Sequence, residues 1–303
     1  MKIIIFGCQQ IAVDFINFLI KKKNVEISLI VTYELPLDKT YGYDSVIEKF
    51  SNQGIEILNP NTIDEKLIKK IKRLEPDLIF SVYYRKILPK SLINIPKKGC
   101  INIHPSLLPK YRGPVPTAWA IEKGEKDFGI TIHLMDKGID TGDIIIQKKY
   151  LIEDGETGYE LYSRAMLLGA KLLKENFIKI GKQMIKPYPQ SGIGSYYGKK
   201  SGKFIINWKD KASNINDKIR VHAKPFNPAE AILFNRYLLI NKAKIIHSEK
   251  YPAQGCGRIV DIIENNLVIS CAEGCLILID FEIVPKLTKK EKEIYFKIGN
   301  KLD

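Results

Sequence analysis

Asn102 and His104 stand two residues apart in Asn102-Ile103-His104-Pro105-Ser106-Leu107-Leu108-Pro109-Lys110. The stretch begins in an apolar run that reads as a buried strand, 100–104, and ends just past a proline. Strand alternation points both polar side chains to one face, so an amide and an imidazole project together. Further on, Met135-Asp136-Lys137-Gly138-Ile139-Asp140-Thr141-Gly142-Asp143 forms a glycine-punctuated acidic loop after a second apolar strand. An amide, an imidazole and the Asp140 carboxylate that converge suit acyl transfer. One group donates to an oxyanion, one acts as acid or base, and one orients it and moves protons. The plainer reading is a buried histidine in a strand and an ordinary acidic turn; two polar motifs in this order at this spacing favour the chemistry.

The elements that must hold these groups follow from the periodicities. Strands are expected at 2–6, 25–32, 55–58, 78–82, 100–104, 130–135 and 144–148. Ile11, Phe15, Phe18 and Leu19 recur at helical spacing, as do Leu67, Ile71 and Leu74. Thr157 can cap a long helix in which Leu161, Ala165, Leu168 and Leu172 share a face. Alternating strands and helices imply an α/β, Rossmann-like sheet, mostly parallel, with its site at the carboxyl ends of the strands. The first turn, Gly7-Cys8-Gln9-Gln10, lacks the Gly-x-Gly-x-x-Gly that a dinucleotide pyrophosphate needs, yet its helix N-terminus could hold another phosphate.

Beyond Gly181 the texture changes. Pro187, Pro189, Gly192, Gly194, Gly198 and Gly202 mark a linker at 182–204, whose five lysines are accompanied by no acid. A solvated linker is expected there, with an anion- or RNA-facing strap as the sharper alternative. The domains are expected at 1–181 and 205–303. The second has a helix at 212–220 and short strands at 231–234, 237–240, 244–247, 257–263, 266–270 and 276–283, the pattern of a small β-barrel or open sheet.

The net charge of +14 over 303 residues invites a nucleic-acid reading. Lysine is spread through most segments and no arginine-rich stripe occurs, so the charge reads as compositional. No run reaches the ~18 apolar residues of a membrane span, and the N-terminus reads as a strand, not a signal peptide. The five cysteines are scattered; no metal site is expected, and the setting is expected to be the reducing cytoplasm.

The two polar motifs resemble the formyltransferases that use 10-formyltetrahydrofolate, whose signature is Asn-x-His-x-Ser-Leu-Leu-Pro followed by an Asp in a Gly-rich loop. Asn102, His104, Ser106, Leu107, Leu108, Pro109 and Asp140 carry the match, and Tyr111-Arg112-Gly113 continues it. The resemblance implies Asn102, His104 and Asp140 as catalytic residues and 10-formyltetrahydrofolate as co-substrate. Its pterin is expected near Lys86, Ile87, Leu88, Asp136 and Gly138. It also implies an OB-like C-terminal domain, which Ile206-Asn207-Trp208 enters in the family's manner. Pro225-Phe226-Asn227-Pro228-Ala229 departs from the family's usual Pro-Gly-Ala turn.

The flanks bear on the acceptor. Phe80-Ser81-Val82-Tyr83-Tyr84-Arg85 and Tyr111-Arg112-Gly113-x-x-Pro116-x-x-Trp119 are similar to nucleotide-sugar formyltransferases, including the one acting on UDP-4-amino-4-deoxy-arabinose. Strand packing would also account for the tyrosines. Methionyl-tRNA formyltransferases usually carry a basic loop after the second strand, where this chain has the nearly neutral 33–43. The glycinamide-ribonucleotide enzymes are shorter, and the hydrolases usually carry an extra N-terminal domain. The expected acceptor is therefore the amine of a nucleotide-linked amino deoxysugar, with Gln9, Gln10 and Arg85 as diphosphate contacts; the alternative is methionyl-tRNA. A homodimer without membrane contact is expected. A non-catalytic binding module on the same fold would have little use for all three catalytic residues.

Overall fold

A computed structural model describes residues 1–33, 42–199, 202–246, 251 and 255–303. Much of the 33–43 segment and the end of the strand expected at 244–247 lie outside the described residues. The chain divides into two compact units. The first comprises 1–116, 127–150 and 163–198; the second comprises 117–126, 151–162 and 199–303.

The first unit is built on a seven-stranded sheet. Its strands are β1 (Lys2–Gly7), β2 (Glu26–Val31), β3 (Ile57–Leu58), β4 (Leu78–Val82), β5 (Cys100–His104), β6 (Asp127–Leu134) and β7 (Ile144–Leu151), in the order β3-β2-β1-β4-β5-β6-β7. From β3 to β5 every pairing is parallel. The order reverses between β1 and β4, the crevice where α/β sheets receive ligands. Parallel strands covered on both faces read as continuous apolar runs, and Ile3, Ile4, Ile5 and Phe6 are completely buried. On one side α1 (Gln9–Ile20) sets Phe15 edge-on to Phe80 of β4 and to Phe177, with ring centroids 5.0 and 6.1 Å apart. On the same side α2 (Val46–Phe50) lies beside α1. On the other, α3 (Glu65–Leu74) packs Leu67 and Ile71 with Ile4, Leu29 and Ile79, and Asp64 caps it by accepting the Leu67 N–H at 2.8 Å. A short α4 (Lys90–Ile93) precedes β5.

One expectation needs correcting. β6 pairs antiparallel to β5, with His104 opposite Thr131 and Ile101 opposite Leu134. The end of β6 therefore points toward the start of β5, away from its carboxyl end. Asp140 reaches His104 because the 135–143 loop doubles back, and Leu134 N–H donates to Asp143 O at 2.9 Å. Gly142 permits the return: a Cβ there would lie 1.9 Å from the Leu134 carbonyl oxygen.

Between β5 and β7 lies α5 (Pro116–Glu122), and after β7 comes α6 (Gly158–Gly181). At the start of α6, Thr157 and Glu160 form the reciprocal pair of a capping box, at 3.2 and 2.8 Å.

The second unit carries β8 (Phe204–Ile205), α7 (Ala212–His222), β9 (Ala229–Leu233), β10 (Arg236–Ile246), β11 (Ile259–Ile263), β12 (Asn266–Ser270), β13 (Cys275–Val284) and α8 (Lys289–Tyr295). The sheet order is β11-β12-β13-β10-β9-β8. The strands expected at 237–240 and 244–247 are one strand, β10, whose register shifts around Lys242. The polar Asn241-Lys242 pair that reads as a turn makes a bulge instead. Ile215 and Ile219 of α7 pack with Leu238, Leu267, Leu276 and Leu278 in one core. Residues 300–303 hydrogen-bond both to Ile232 and to Gly257 and Ile259, drawing the sheet toward closure. All five cysteines are free thiols, and no described helix is long and apolar enough to cross a membrane.

Candidate active site

Asn102 and His104 share a face of β5, as alternation requires. The antiparallel register sets His133 of β6 directly opposite Asn102, and Asn102 Nδ2 lies 3.2 Å from His133 Nε2. His133 Nδ1 sits 2.7 Å from the Leu134 carbonyl, which can only accept, so Nδ1 carries the hydrogen and Nε2 is left to accept from Asn102. Asn102 also donates to Asp140 Oδ1 at 3.3 Å.

Asp140 Oδ2 accepts the Gly113 N–H at 2.9 Å and lies 3.5 Å from His104 Nδ1. Its Oδ1 is 3.6 Å from His133 Nε2. Burial alone would raise the pKa of this carboxyl, but His104, His133 and the Gly113 N–H outweigh it and hold the group well below the usual carboxylate range. Asp140 is therefore ionised at neutral pH. His104 is buried, and its Nε2 lies 2.8 Å from the Tyr111 carbonyl oxygen. Burial pulls the imidazole down and prevails over Asp140 and that carbonyl, which pull it up. The result is a neutral ring with Nε2–H given to Tyr111 and a basic Nδ1 facing an anion. A proton arriving at Nδ1 would be stabilised at once by Asp140. The one hydrogen of His104 is thus engaged by Tyr111 and is not available to an oxyanion.

The motif after β5 is held from several sides. Thr131 Oγ1 donates to Ser106 O at 2.6 Å, and Ser106 Oγ donates to Lys110 O at 2.7 Å. Gln147 Nε2 donates to Leu108 O at 2.9 Å. Leu107 lies where any Cβ on Gly129 would stand 2.3 Å from it. Gly113, at φ +94, leaves room for the Tyr197 carbonyl, which a Cβ would approach to 2.4 Å.

Five non-glycine residues with left-handed backbone follow strands of this sheet: Gln9 (φ 62), Tyr83 (φ 56), Tyr111 (φ 58), Val115 (φ 52) and Asp140 (φ 55). Each costs of order 1–3 kcal/mol and persists only where the surroundings over-determine it.

The remaining sequence-predicted residues are placed unevenly. Asp136 Oδ1 accepts Gly138 N–H at 2.9 Å and Thr141 Oγ1–H at 2.6 Å, so its side chain shapes the loop. Lys86 Nζ donates to the Pro60 and Asn61 carbonyls at 2.6 and 3.0 Å, tying two loops together. Ile87 is 77% exposed and Leu88 is buried. Gln10 donates to Asp14 within α1 at 2.9 Å, Gln9 is buried, and Arg85 is exposed after β4. Tyr84 is a core residue, edge-on to Phe6 and Tyr33 at 5.2 and 5.4 Å, its phenol pushed up to about 12 by burial. Among the described residues no group of three or more potential ligands is arranged to hold a metal ion.

Sequence reasoning missed His133, the Gly113 N–H, the Tyr111 carbonyl and Gln190. The signal for His133 was present: Thr131 and His133 are alternate polar residues in an otherwise apolar strand, matching Asn102 and His104. Gln190 gave none. It lies in the stretch read as a linker, yet its Nε2 donates to Asp140 O and Gly142 O, both at 2.8 Å.

Residues 1–176 match the family described as formyl transferase, and residues 199–294 match the formyl transferase C-terminal domain. Methionyl-tRNA formyltransferase of Thermodesulfovibrio yellowstonii is 36% identical over 99% of this chain and 98% of its own. The solved structure of WlaRD, a sugar 3N-formyl transferase, superposes with a TM-score of 0.73 at 23% identity, covering 95% of this chain and 99% of that one. An N-formyltransferase from Helicobacter canadensis, solved with folinic acid and dTDP-3-aminofucose, gives 0.72 at 22% identity over 93% and 100%. At these identities the two structures speak for the fold.

Proposed function

Because this chain belongs to the formyl transferase family, we propose that it moves the formyl group of 10-formyltetrahydrofolate to the amino group of a nucleotide-linked amino deoxysugar. The observation that carries the acceptor is the segment after the second strand. Between Tyr33 and Tyr43 it has Glu34 and Asp38 against a single Lys39, a composition poorly suited to the phosphates of a tRNA. The similarity to sugar formyltransferases noted at Phe80–Arg85 adds less now, since Tyr84 is occupied in the core.

In the reaction, the neutral sugar amine attacks the formyl carbon. Asn102, whose two hydrogen bonds are long at 3.2 and 3.3 Å, re-aims an N–H at the developing oxyanion; such a donor is typically worth ~3–4 kcal/mol. The amine proton passes to Nδ1 of His104, and Asp140 stabilises the imidazolium. As the tetrahedral intermediate collapses, the bond to the folate N10 breaks and the proton moves to that nitrogen. Exposed Ile87 offers apolar surface for the pterin. Leu88 and Met135 share one apolar cluster, so the loop after β4 and the loop carrying Asp136 and Gly138 have a common base. Arg85 is the candidate partner for the diphosphate. The catalytic domain at 1–181, the separate domain at 205–303, a homodimeric assembly and a cytoplasmic setting belong to the same proposal.

The second reading is methionyl-tRNA formyltransferase, favoured by the 36% identical relative and the net charge of +14. Salt separates the two. A sugar nucleotide should give an acceptor KM with shallow salt dependence. A tRNA held by ~6–10 phosphate contacts should lose about 10³–10⁵-fold in affinity between roughly 50 and 200 mM salt. Turnover of methionyl-tRNA with that steep dependence, and none with any amino-sugar nucleotide, would establish the second reading.

A further inference from the structure

We propose that Gln190 is a positioning residue for formyl transfer: its side-chain amide holds the Asp140 loop in the conformation that aims the carboxylate at His104. The proposal rests on the formyl-transfer reading of the site and is independent of which acceptor is used.

Asp140 is a residue with a Cβ in left-handed backbone, at φ 55. That conformation must be imposed from outside the loop. Gln190 Nε2 has two hydrogens and meets two acceptors, the carbonyls of Asp140 and Gly142, each at 2.8 Å. The amide oxygen accepts from Arg112, at 2.7 Å from Nη2 and 3.2 Å from Nε. The orientation of the amide is thus fixed by its surroundings. Turned over, its oxygen would face two carbonyl oxygens and its N–H groups would face a guanidinium, which has only donors. Arg112 is followed by Gly113, whose N–H binds Asp140 Oδ2. One side chain therefore ties together the backbone that carries the carboxylate and the backbone that receives it.

The segment bearing Gln190 is anchored without it. Tyr188 and Ile144 exchange backbone hydrogen bonds at 2.8 and 3.0 Å, Tyr111 N–H donates to Ser195 Oγ at 2.9 Å, and Arg112 pairs with Ser195 and Tyr197 through its backbone. Replacing the amide leaves the strap docked and removes only the grip on the loop.

Two variants of the full chain separate positioning from bracing. Gln190→Glu keeps an oxygen for Arg112 but turns a carboxylate toward the two carbonyls. Gln190→Met keeps the length and loses both functions. With 10-formyltetrahydrofolate and whichever of a dTDP-amino sugar or methionyl-tRNA the wild type formylates, kcat should fall about 100-fold in both variants. The KM for 10-formyltetrahydrofolate should stay within about threefold, the pattern of an interaction that acts on the transition state. A Gln190→Glu enzyme with wild-type kcat would overturn the proposal, leaving Gln190 as a partner of Arg112 alone. Imidazole NMR supplies an arm that needs no acceptor, since the chain has only four histidines. In Gln190→Met the His104 and His133 resonances should move at fixed pH while the remaining fold signals hold. Superimposable histidine spectra would also overturn it. A wild type that formylates neither acceptor would count against the acceptor reading and leave the NMR arm to decide this one.

Discussion

The same unfavoured backbone conformation occurs in both units for different reasons. In the second unit Glu264 (φ 50) and Asn265 (φ 69) are the two residues between β11 and β12, and Phe234 (φ 55) begins the two-residue link between β9 and β10. Two-residue hairpins need positive φ to match the twist of their strands, so the turns explain these residues completely. In the first unit, Glu75 ends α3 and Gln183 follows α6, the ordinary left-handed caps of helices. Tyr83, Tyr111, Val115 and Asp140 close neither a hairpin nor a helix. Asp140 and Tyr111 meet His104 through a carboxylate and a carbonyl, Val115 lies two residues beyond Gly113, and Tyr83 follows β4 at the crevice. Strain without a local topological cause therefore accompanies the candidate site, where it sits beside the ionised Asp140 and the buried His104 and His133.

The comparison breaks most sharply at the polar network. His104→Ala, Asn102→Ala and Asp140→Asn should each lower turnover at least ~100-fold while circular dichroism stays native. Near-normal turnover in any two of them would mean that the strained loops serve something else. Next in size is Gly113→Ala. A Cβ at φ +94, 2.4 Å from the Tyr197 carbonyl, should cost roughly 3 kcal/mol of stability and displace the N–H that holds Asp140. Chemical denaturation and turnover should fall together; an unchanged midpoint would show that the approach is not tight.

The pH dependence should be smaller and has a definite sign. His104 is lowered by burial and Asp140 is held low by its partners, so the folded state binds fewer protons than the unfolded chain at both. Stability should decline as pH falls below about 6.5, through His104, and further below about 4, through Asp140. Turnover should be flat near neutrality and decline in mild acid as Nδ1 fills. Thermal unfolding followed from about pH 7.5 to 5 checks the first part; in His104→Asn the decline over that window should be shallower. The smallest effect is expected at the turn used as contrast. Glu264→Gly should shift stability by no more than ~1 kcal/mol, toward stabilisation, with turnover unchanged.

Much of this arrangement was legible because it lies in local patterns. The alternation of Asn102 and His104 in an apolar run placed both on one face, and Thr157 before the spaced Leu161, Ala165, Leu168 and Leu172 announced the start of α6. Asp140 was identified for an incomplete reason. It was expected past the end of a parallel strand, whereas β6 is antiparallel and the loop returns over its own path. Strand polarity is set by the connections, which a local pattern does not contain. The alternation of Thr131 and His133 marked a polar face of β6, but not what it meets, because register decides what His133 faces. Gln190 was hidden further still. Its role comes from a chain segment some fifty residues away in sequence from Asp140, in a lysine- and glycine-rich stretch whose composition resembles a solvated linker. Bulged β10 was read as two strands because Asn241 and Lys242 carry turn chemistry that the sheet overrides.

The central claim is that a folate-borne formyl group goes to a sugar amine at the His104–Asp140 pair. A single competition tests it most directly. Wild-type enzyme and 10-formyltetrahydrofolate are incubated with an equimolar mixture of dTDP- and UDP-linked amino deoxysugars and methionyl-tRNA, and all products are weighed by mass spectrometry. The account predicts a 28-dalton gain, the replacement of an amine hydrogen by formyl, on a sugar nucleotide, with the tRNA unmodified, and no gain in Asp140→Asn. Formyl-methionyl-tRNA as the product, with every sugar nucleotide unchanged, would contradict it.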